Sequence, residues 1–273
     1  MRMQESLGQT VLIENRPSSG GIAVGRVGRA EPDGYTIGLG HWGTHVVDGA
    51  VLSLPFDLLK DFEPIAKLAA NPLLILSNNS VPAKDLKELV SWLKANPDKA
   101  TFGSPGVGSP PHIAGVFFEK LTDTHFRFVP YRGAAPAMND LIAGQIDLNF
   151  PQAAIALPQV KAGSIRAYGV TSKTRLVSAP EIPTANEAGV PDFYLSVWHG
   201  LWAPKGTPKA IIAKLNAAVV EALADPEVRR RLTDLGQDIP PRDEQTPEAL
   251  GAYQKAEIEK WWPIIKAANI KVE

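Results

Sequence analysis

The chain has 273 residues, 44% of them hydrophobic and 21% charged, and its 28 Lys and Arg against 29 Asp and Glu leave a formal net charge of -1. That length holds one large or two ordinary α/β domains, because single cores stop growing at roughly 250–300 residues, and the balanced charge gives neither nucleic acid nor an anionic membrane an electrostatic attraction. With no cysteine, disulfides, thiolate metal sites and cysteine nucleophiles are excluded. No apolar run approaches the ~20 residues of a spanning helix. The opening Met-Arg-Met-Gln-Glu-Ser-Leu-Gly has no apolar stretch or small-residue cleavage site, so the expectation is a cytosolic or a processed chain.

In chain order, Thr10 to Glu14 (TVLIE) reads as a short buried strand, followed by a turn at Asn15-Arg16-Pro17 and a glycine-rich stretch from Gly20 to Gly28. Ala30-Glu31-Pro32-Asp33-Gly34 is a turn, and Tyr35 to Leu39 a strand entering a second glycine-rich loop. Leu73 to Leu76 is a strand. Leu86, Leu89, Val90 and Leu93 recur at helical spacing over Lys84 to Ala95, stopped by Asn96-Pro97. A strand at Lys99 to Gly103, a helix at Pro111 to Leu121, a strand at His125 to Val129, a helix from Pro136 to near Gly144 and a strand at Ile146 to Phe150 follow. This alternation predicts parallel sheets built from βαβ units. Tyr194 to Ala203 is a strand; Thr207 and Pro208 then suit the N-cap and first position of a long amphipathic helix carrying Ile211, Ile212, Leu215, Val219 and Leu223. A helix from Asp225-Pro226 to Gly236 and a last one from about Pro247 complete the pattern.

Ligands of open α/β sheets bind beyond the carboxyl ends of strands, where three loops here carry the chemistry. Gly38-Leu39-Gly40-His41-Trp42-Gly43 is a literal G-x-G-x-x-G, but Trp42 stands where a pyrophosphate loop would turn into its helix, and Asp57 and Asp61 end no clear strand. His41 and His45 lie four apart with no third ligand at a recognisable spacing, so no metal is expected. Gly103-Ser104-Pro105-Gly106-Val107-Gly108-Ser109-Pro110-Pro111-His112 is the most informative stretch. Its glycines let backbone N–H groups approach an anion, the helix from Pro111 adds its positive end, and Ser104 and Ser109 add hydroxyls. Val129-Pro130-Tyr131-Arg132-Gly133 offers a phenol and a guanidinium suited to a carboxylate. No nucleophile elbow surrounds Ser109. Trp42 and Trp198 are read as cleft-lining, Trp261 and Trp262 as core.

Glu14-Asn15-Arg16-Pro17 with Gly20-Gly21, Pro32-Asp33-Gly34-Tyr35-Thr36, Gly103 to His112, Val129 to Gly133, and Trp202-Ala203-Pro204-Lys205-Gly206-Thr207-Pro208 together resemble the tripartite tricarboxylate transporter substrate-binding proteins, or Bug-type receptors, in the family's order over essentially the whole chain. The resemblance implies a two-lobed α/β fold of the periplasmic-binding-protein, Venus-flytrap type II kind, with residues 1–76 and 203–273 in lobe one and 77–202 in lobe two. It implies a non-enzymatic periplasmic receptor without a cofactor, handing a small organic carboxylate to the membrane permease subunits of a tripartite transporter. By the same resemblance the ligand is held by His41, Trp42, Gly43, Thr44 and His45 of one lobe and by Ser104, Gly106, Gly108, Ser109, His112, Tyr131, Arg132, Gly133, Gln152 and Trp198 of the other. Two departures from the family pattern are expected to matter: the chain starts inside the helix that follows the family's first strand, and Phe150-Pro151-Gln152 stands where an Asp usually follows the Phe. An enzyme using the glycine-rich loops for a phosphate-bearing cofactor, and a remnant that no longer binds, are the alternatives.

Overall fold

A computed structural model describes residues 2–15 and 21–270. Its helices and strands are α1 (Arg2–Leu7), α2 (Gly21–Gly28), β1 (Gly38–His41), a π-helical turn (Gly43–Val47), α3 (Asp48–Val51), β2 (Phe62–Pro72), β3 (Leu74–Ser77), α4 (Leu86–Ala95), β4 (Thr101–Ser104), α5 (Pro110–Thr122), β5 (Arg127–Pro130) and α6 (Ala134–Ile142). They continue through β6 (Leu148–Asn149), α7 (Ala153–Lys161), β7 (Arg166–Val170), β8 (Ser196–Pro204), α8 (Lys209–Ala224), α9 (Pro226–Asp234), a 3-10 turn (Arg242–Gln245) and α10 (Pro247–Ala267). The chain divides into two compact units: Met1–Ala70, Trp198–Leu232 and Ile239–Asn269 form the first, and Asn71–Val197, Thr233–Asp238 and Ile270–Glu273 the second.

The first unit contains a three-stranded sheet in the order β1-β8-β2, with β1 antiparallel to β8 in the register Gly38↔Trp202 through His41↔His199. Its core joins Ile65 and Ala66 of β2 and Leu201 and Ala203 of β8 to Ile212, Leu215, Val219 and Leu223 of α8, and Met3 and Leu7 of α1 pack against this group. A helix as short as α1 forms because those two side chains, one turn apart, find that surface. The second unit contains a five-stranded sheet in the order β5-β4-β6-β3-β7. Its core joins Leu74 and Leu76 of β3 and Val170 of β7 to Leu141, Ile146 and Ala153, together with a cluster in which Phe102, Phe118, Phe126, Phe150 and Phe193 meet edge-on or stacked. Each fully buried Phe contributes about 1.5–3 kcal/mol of transfer free energy.

The sheet of the second unit is mixed, not all-parallel. Strand β4 is parallel to β5 and β6, whereas β3 runs antiparallel to β6 and β7. Only β3 is reversed: the chain enters this sheet on it one residue after β2 ends, and α4 then connects it to β4. Thr10 to Glu14 is not a strand; it joins no sheet among the described residues and leaves Leu12 87% and Ile13 72% exposed. The turn expected at Asn15-Arg16-Pro17 lies partly outside the described residues. From Gly21 the glycine-rich stretch is helix α2, whose Gly25 and Gly28 sit under Phe56 and Phe62, where a Cβ would lie 3.0 and 3.1 Å from the rings. Helix α8 starts one residue later than expected: Pro208 is its N-cap, and the Thr207 hydroxyl donates to the Pro204 carbonyl.

Candidate functional site

In the second unit β5, β4 and β6 are neighbours and parallel, so their carboxyl ends share one edge of the sheet. Each runs through a short loop into a helix: β4 into α5, β5 into α6, β6 into α7. Three helix N-termini therefore open along one edge, each with first-turn N–H groups that have no intrahelical acceptor and a positive dipole end. Neither the α6 N-cap, Gly133, nor the α7 N-cap, Gln152, carries a side-chain cap bond. The α5 N-cap, Ser109, does: its Oγ accepts from the His112 N–H at 3.4 Å while its hydroxyl donates to the Gly106 carbonyl at 2.8 Å. Ser109, expected as a hydroxyl donor for a ligand, thus spends its proton within the loop. Gly106 and Gly108 hold φ of +100° and +78°, which other residues rarely adopt, and a Cβ on Gly106 would meet nothing within 4 Å. The loop is open at that point, as backbone recognition of a ligand requires.

Other predicted residues surround this edge. Ser104 ends β4 and is buried, with its carbonyl accepting from the Tyr131 N–H. The Tyr131 hydroxyl donates to Asp140 at 2.7 Å, and burial, then this carboxylate, pushes its pKa up to about 12. It remains a phenol at all working pH values, its proton already committed. Arg132 is exposed and makes no ion pair among the described residues. His112 is mostly buried beside Phe128, and its desolvation holds it neutral by lowering its pKa. The sequence reading overlooked Asn149, the last residue of β6: its Oδ1 is buried with no hydrogen-bond partner among the described residues, at the same edge.

In the first unit the G-x-G-x-x-G has a steric explanation. A Cβ on Gly38 would lie 3.0 Å from Val27 of α2, one on Gly40 2.2 Å from the His45 ring, and one on Gly43 2.7 Å from the His41 ring. The glycines make room for a helix and two imidazoles. The His45 ring stacks on Trp202 with centroids 3.7 Å apart, and Thr44 Oγ1 lies 3.0 Å from its Nδ1. Burial, then the charge of His41, lowers the His45 pKa to about 3; burial, then His199, lowers that of His41 to about 4. Of the five residues expected from this loop, only His41 and Thr44 are partly open; Trp42, Gly43 and His45 are buried.

The cleft-lining reading of the two tryptophans is corrected. Trp42 and Trp198 are both 0% exposed. Trp42 packs edge-on against Trp261, and Trp198 donates through Nε1 to Glu257 at 3.1 Å and packs against Tyr253. Both are large apolar bodies in an apolar unit, and the glycines flanking them make space for other side chains, not access for a ligand. The adjacent His199 was missed, although it stands in the same Trp-His-Gly triplet; it is partly open and pairs in register with His41.

Comparison with known proteins agrees with this arrangement. A family model described as the tripartite tricarboxylate transporter family receptor matches residues 1–270. An uncharacterised protein of Agrobacterium vitis is 38% identical over 98% of this chain and 78% of its own length, and the BugT protein of Bordetella pertussis is 30% identical over 99% of this chain and 83% of its own. Among solved structures, MatC of Rhodopseudomonas palustris with bound malate superposes with a TM-score of 0.84 at 38% identity, covering 97% of this chain and 90% of that one. The adipate-bound Rpa4515 of the same organism gives a TM-score of 0.85 at 30% identity, covering 99% and 90%. The periplasmic binding protein BugD gives 0.85 at 35%, covering 100% and 91%. With nearly the whole chain matched by that family and by its solved members, this protein belongs to the Bug-type receptors of the tripartite tricarboxylate transporter family.

Proposed function

We propose that the chain is a periplasmic receptor that captures a small organic carboxylate, changes nothing in it, and passes it to the permease subunits of a tripartite transporter. The observation that carries this reading is the row of three helix N-termini at the carboxyl ends of β5, β4 and β6, two of them without side-chain caps. Such a row holds an anion through pre-oriented N–H groups and partial charges, without a buried cation. The ligand residues on this unit are Ser104, Gly106, Gly108, Ser109, His112, Tyr131, Arg132, Gly133 and Gln152; His41 and Thr44 are the accessible polar groups of the first. Relatives with malate and adipate bound support carboxylates of this size. Among the described residues no helix is long and apolar enough to cross a membrane.

The test is thermal unfolding against mono-, di- and tricarboxylates with nucleotides as controls. An acid present at one hundred times its dissociation constant stabilises the native state by about 2.7 kcal/mol. A shift with one class of acid, reduced in the Ser104→Ala, Ser109→Ala double variant, is expected. A shift with nucleotides and none with acids would overturn the receptor reading.

A further inference from the structure

Asn78 and Asn216 show how this chain treats an asparagine that it withdraws from water. Asn78 Nδ2 donates to the Ile146 carbonyl while its Oδ1 accepts from the Ser80 N–H and hydroxyl, and Asn216 Nδ2 donates to the carbonyls of Ile65 and Gln245. Asn149, 2% exposed at the end of β6, is treated differently. Its Oδ1 is enclosed and unpaired; its Nδ2 donates to no group among the described residues and is not fully enclosed. A buried amide without partners carries a free-energy penalty that an apolar side chain of the same size would not.

The register fixes where this side chain lies. Asn149 pairs directly with Leu76 of β3 and therefore shares a face of the sheet with Leu76 and Leu74. That face carries α6 and α7, because Leu74 and Leu76 pack with Met138 and Leu141 of the one and with Ala153 and Leu157 of the other. On the β4 side Phe102 pairs with Leu148, so the residue beside Asn149 is Gly103, which brings no side chain. By packing alone the position calls for an aliphatic residue. It also lies at the carboxyl edge from which α6 and α7 start, and their N-caps, Gly133 and Gln152, leave the first-turn N–H groups without side-chain bonds.

We infer that Asn149 is a ligand-binding residue, the side-chain donor that completes the row of backbone N–H groups around the bound anion. Because no protein group holds either end of the amide, rotation about χ2 can turn its NH2 toward the anion without breaking a bond. A carboxylate has about four acceptor sites, more than one helix terminus fills. An amide fills one of them with no net charge, and so without the desolvation cost of a buried lysine or arginine. Binding then relieves the penalty of the unpaired amide instead of exchanging one hydrogen bond for another.

This inference rests on the receptor reading and adds a residue to its site. The test is calorimetric titration of the wild-type protein, Asn149→Leu and Asn149→Asp with acetate, malate, adipate and citrate, together with the Tm of each unliganded protein. Asn149→Leu removes the amide and matches its apolar neighbours, so Tm should rise by about 2–4 °C. Its affinity for whichever of the four acids the wild type binds should fall about tenfold, the equivalent of one hydrogen bond. Asn149→Asp keeps the shape but sets a like charge beside the anion, and the loss should reach about a hundredfold. The Asn149 NH2 signal in nitrogen-15 spectra of the wild type, assigned by its absence from both variants, should move on saturation. A merely structural Asn149 predicts a lowered Tm in Asn149→Leu, unchanged affinity in both variants and a stationary signal; any of these overturns this inference alone. If the wild type binds none of the four acids, the receptor reading falls together with it.

Discussion

Lys67 of β2 is 7% exposed, with its ammonium 2.6 Å from Glu244 and 3.9 Å over the centroid of the Tyr253 ring. Its partner is unlike it: the Glu244 side chain is 49% exposed. The two ends of this ion pair should therefore respond to mutation very differently. Glu244→Ala leaves a buried cation with an aromatic face and the more distant Glu257 carboxylate; breaking a buried pair from one side costs about 3–5 kcal/mol, and a desolvated cation–π contact retains about 2 kcal/mol of that attraction, so a net loss of about 1–3 kcal/mol is expected. Lys67→Met keeps the apolar stem and returns Glu244 to water, giving up what an exposed pair is worth, about 0–1 kcal/mol. In the double variant the Glu244 effect should vanish, a coupling of about 2 kcal/mol. Urea unfolding followed by tryptophan fluorescence measures this cleanly, because Trp42, Trp198, Trp202, Trp261 and Trp262 all lie in the first unit and only Trp92 in the second. Equal costs for the two single variants, or a Glu244→Ala effect that persists in the Lys67→Met background, would refute the argument from unequal burial.

Other consequences can be checked by the same or simpler means. Gly40→Ala places a Cβ 2.2 Å from the His45 ring and 2.9 Å from Trp202, which must break the stacked pair and should cost about 1–3 kcal/mol in urea unfolding; an unaffected midpoint would show that the pair yields freely. Because His41 and His45 are held neutral, with pKa values lowered to about 4 and about 3, the unfolded chain binds protons that the folded unit does not. Stability should therefore fall as pH drops from the unfolded value near 6.5 through these folded values. Fluorescence midpoints between pH 7 and 4 test the sign, and His45→Phe, which preserves stacking on Trp202, should flatten the slope. Ser109→Ala removes the α5 cap and its bond to Gly106; about 1 kcal/mol of stability should be lost, with carboxylate affinity lowered in the same variant by calorimetry.

Legibility followed locality. Helix α4 was readable from Leu86, Leu89 and Leu93, all fully buried, and from the Asn96-Pro97 stop; α10 was readable from Pro247, and its cap Thr246 was not noticed. The row of strands β4, β5 and β6, with helices α5 and α6, was legible because each of these elements announces itself within a dozen residues. What failed depended on partners distant in sequence. The 11-residue β2 was invisible because Pro64, Glu63 and Lys67 break its pattern, and Lys67 is at home there only through Glu244. TVLIE has strand composition but no strand beside it. Helix α7 was hidden by Pro158, which sits inside it. The stretches Gly103 to His112 and Val129 to Gly133 follow strands as expected, whereas Gly38 to His41, read as a loop, is strand β1 running into a π-helical turn; which side chains stay accessible was not legible, since Trp42 and His45 turn into the unit while His199, unremarked on the neighbouring strand, is partly open.

The two glycine-rich loops show why composition alone misleads about binding. At Gly40 and Gly43 a Cβ would strike an imidazole, so those glycines serve the packing of His45 and His41, and the G-x-G-x-x-G spelling is a by-product of a crowded turn. At Gly106 a Cβ would meet open space, and the glycine is required by its φ of +100°. The loop it shapes leads into α5, beside two further helix N-termini that lack side-chain caps. A glycine retained against a side chain serves the core, whereas one retained by backbone angle beside unpaired N–H groups leaves those groups accessible to a ligand. On that physical distinction Gly106 and Gly108 shape a loop whose backbone stays open, whereas the glycines of the first loop serve the packing of its imidazoles.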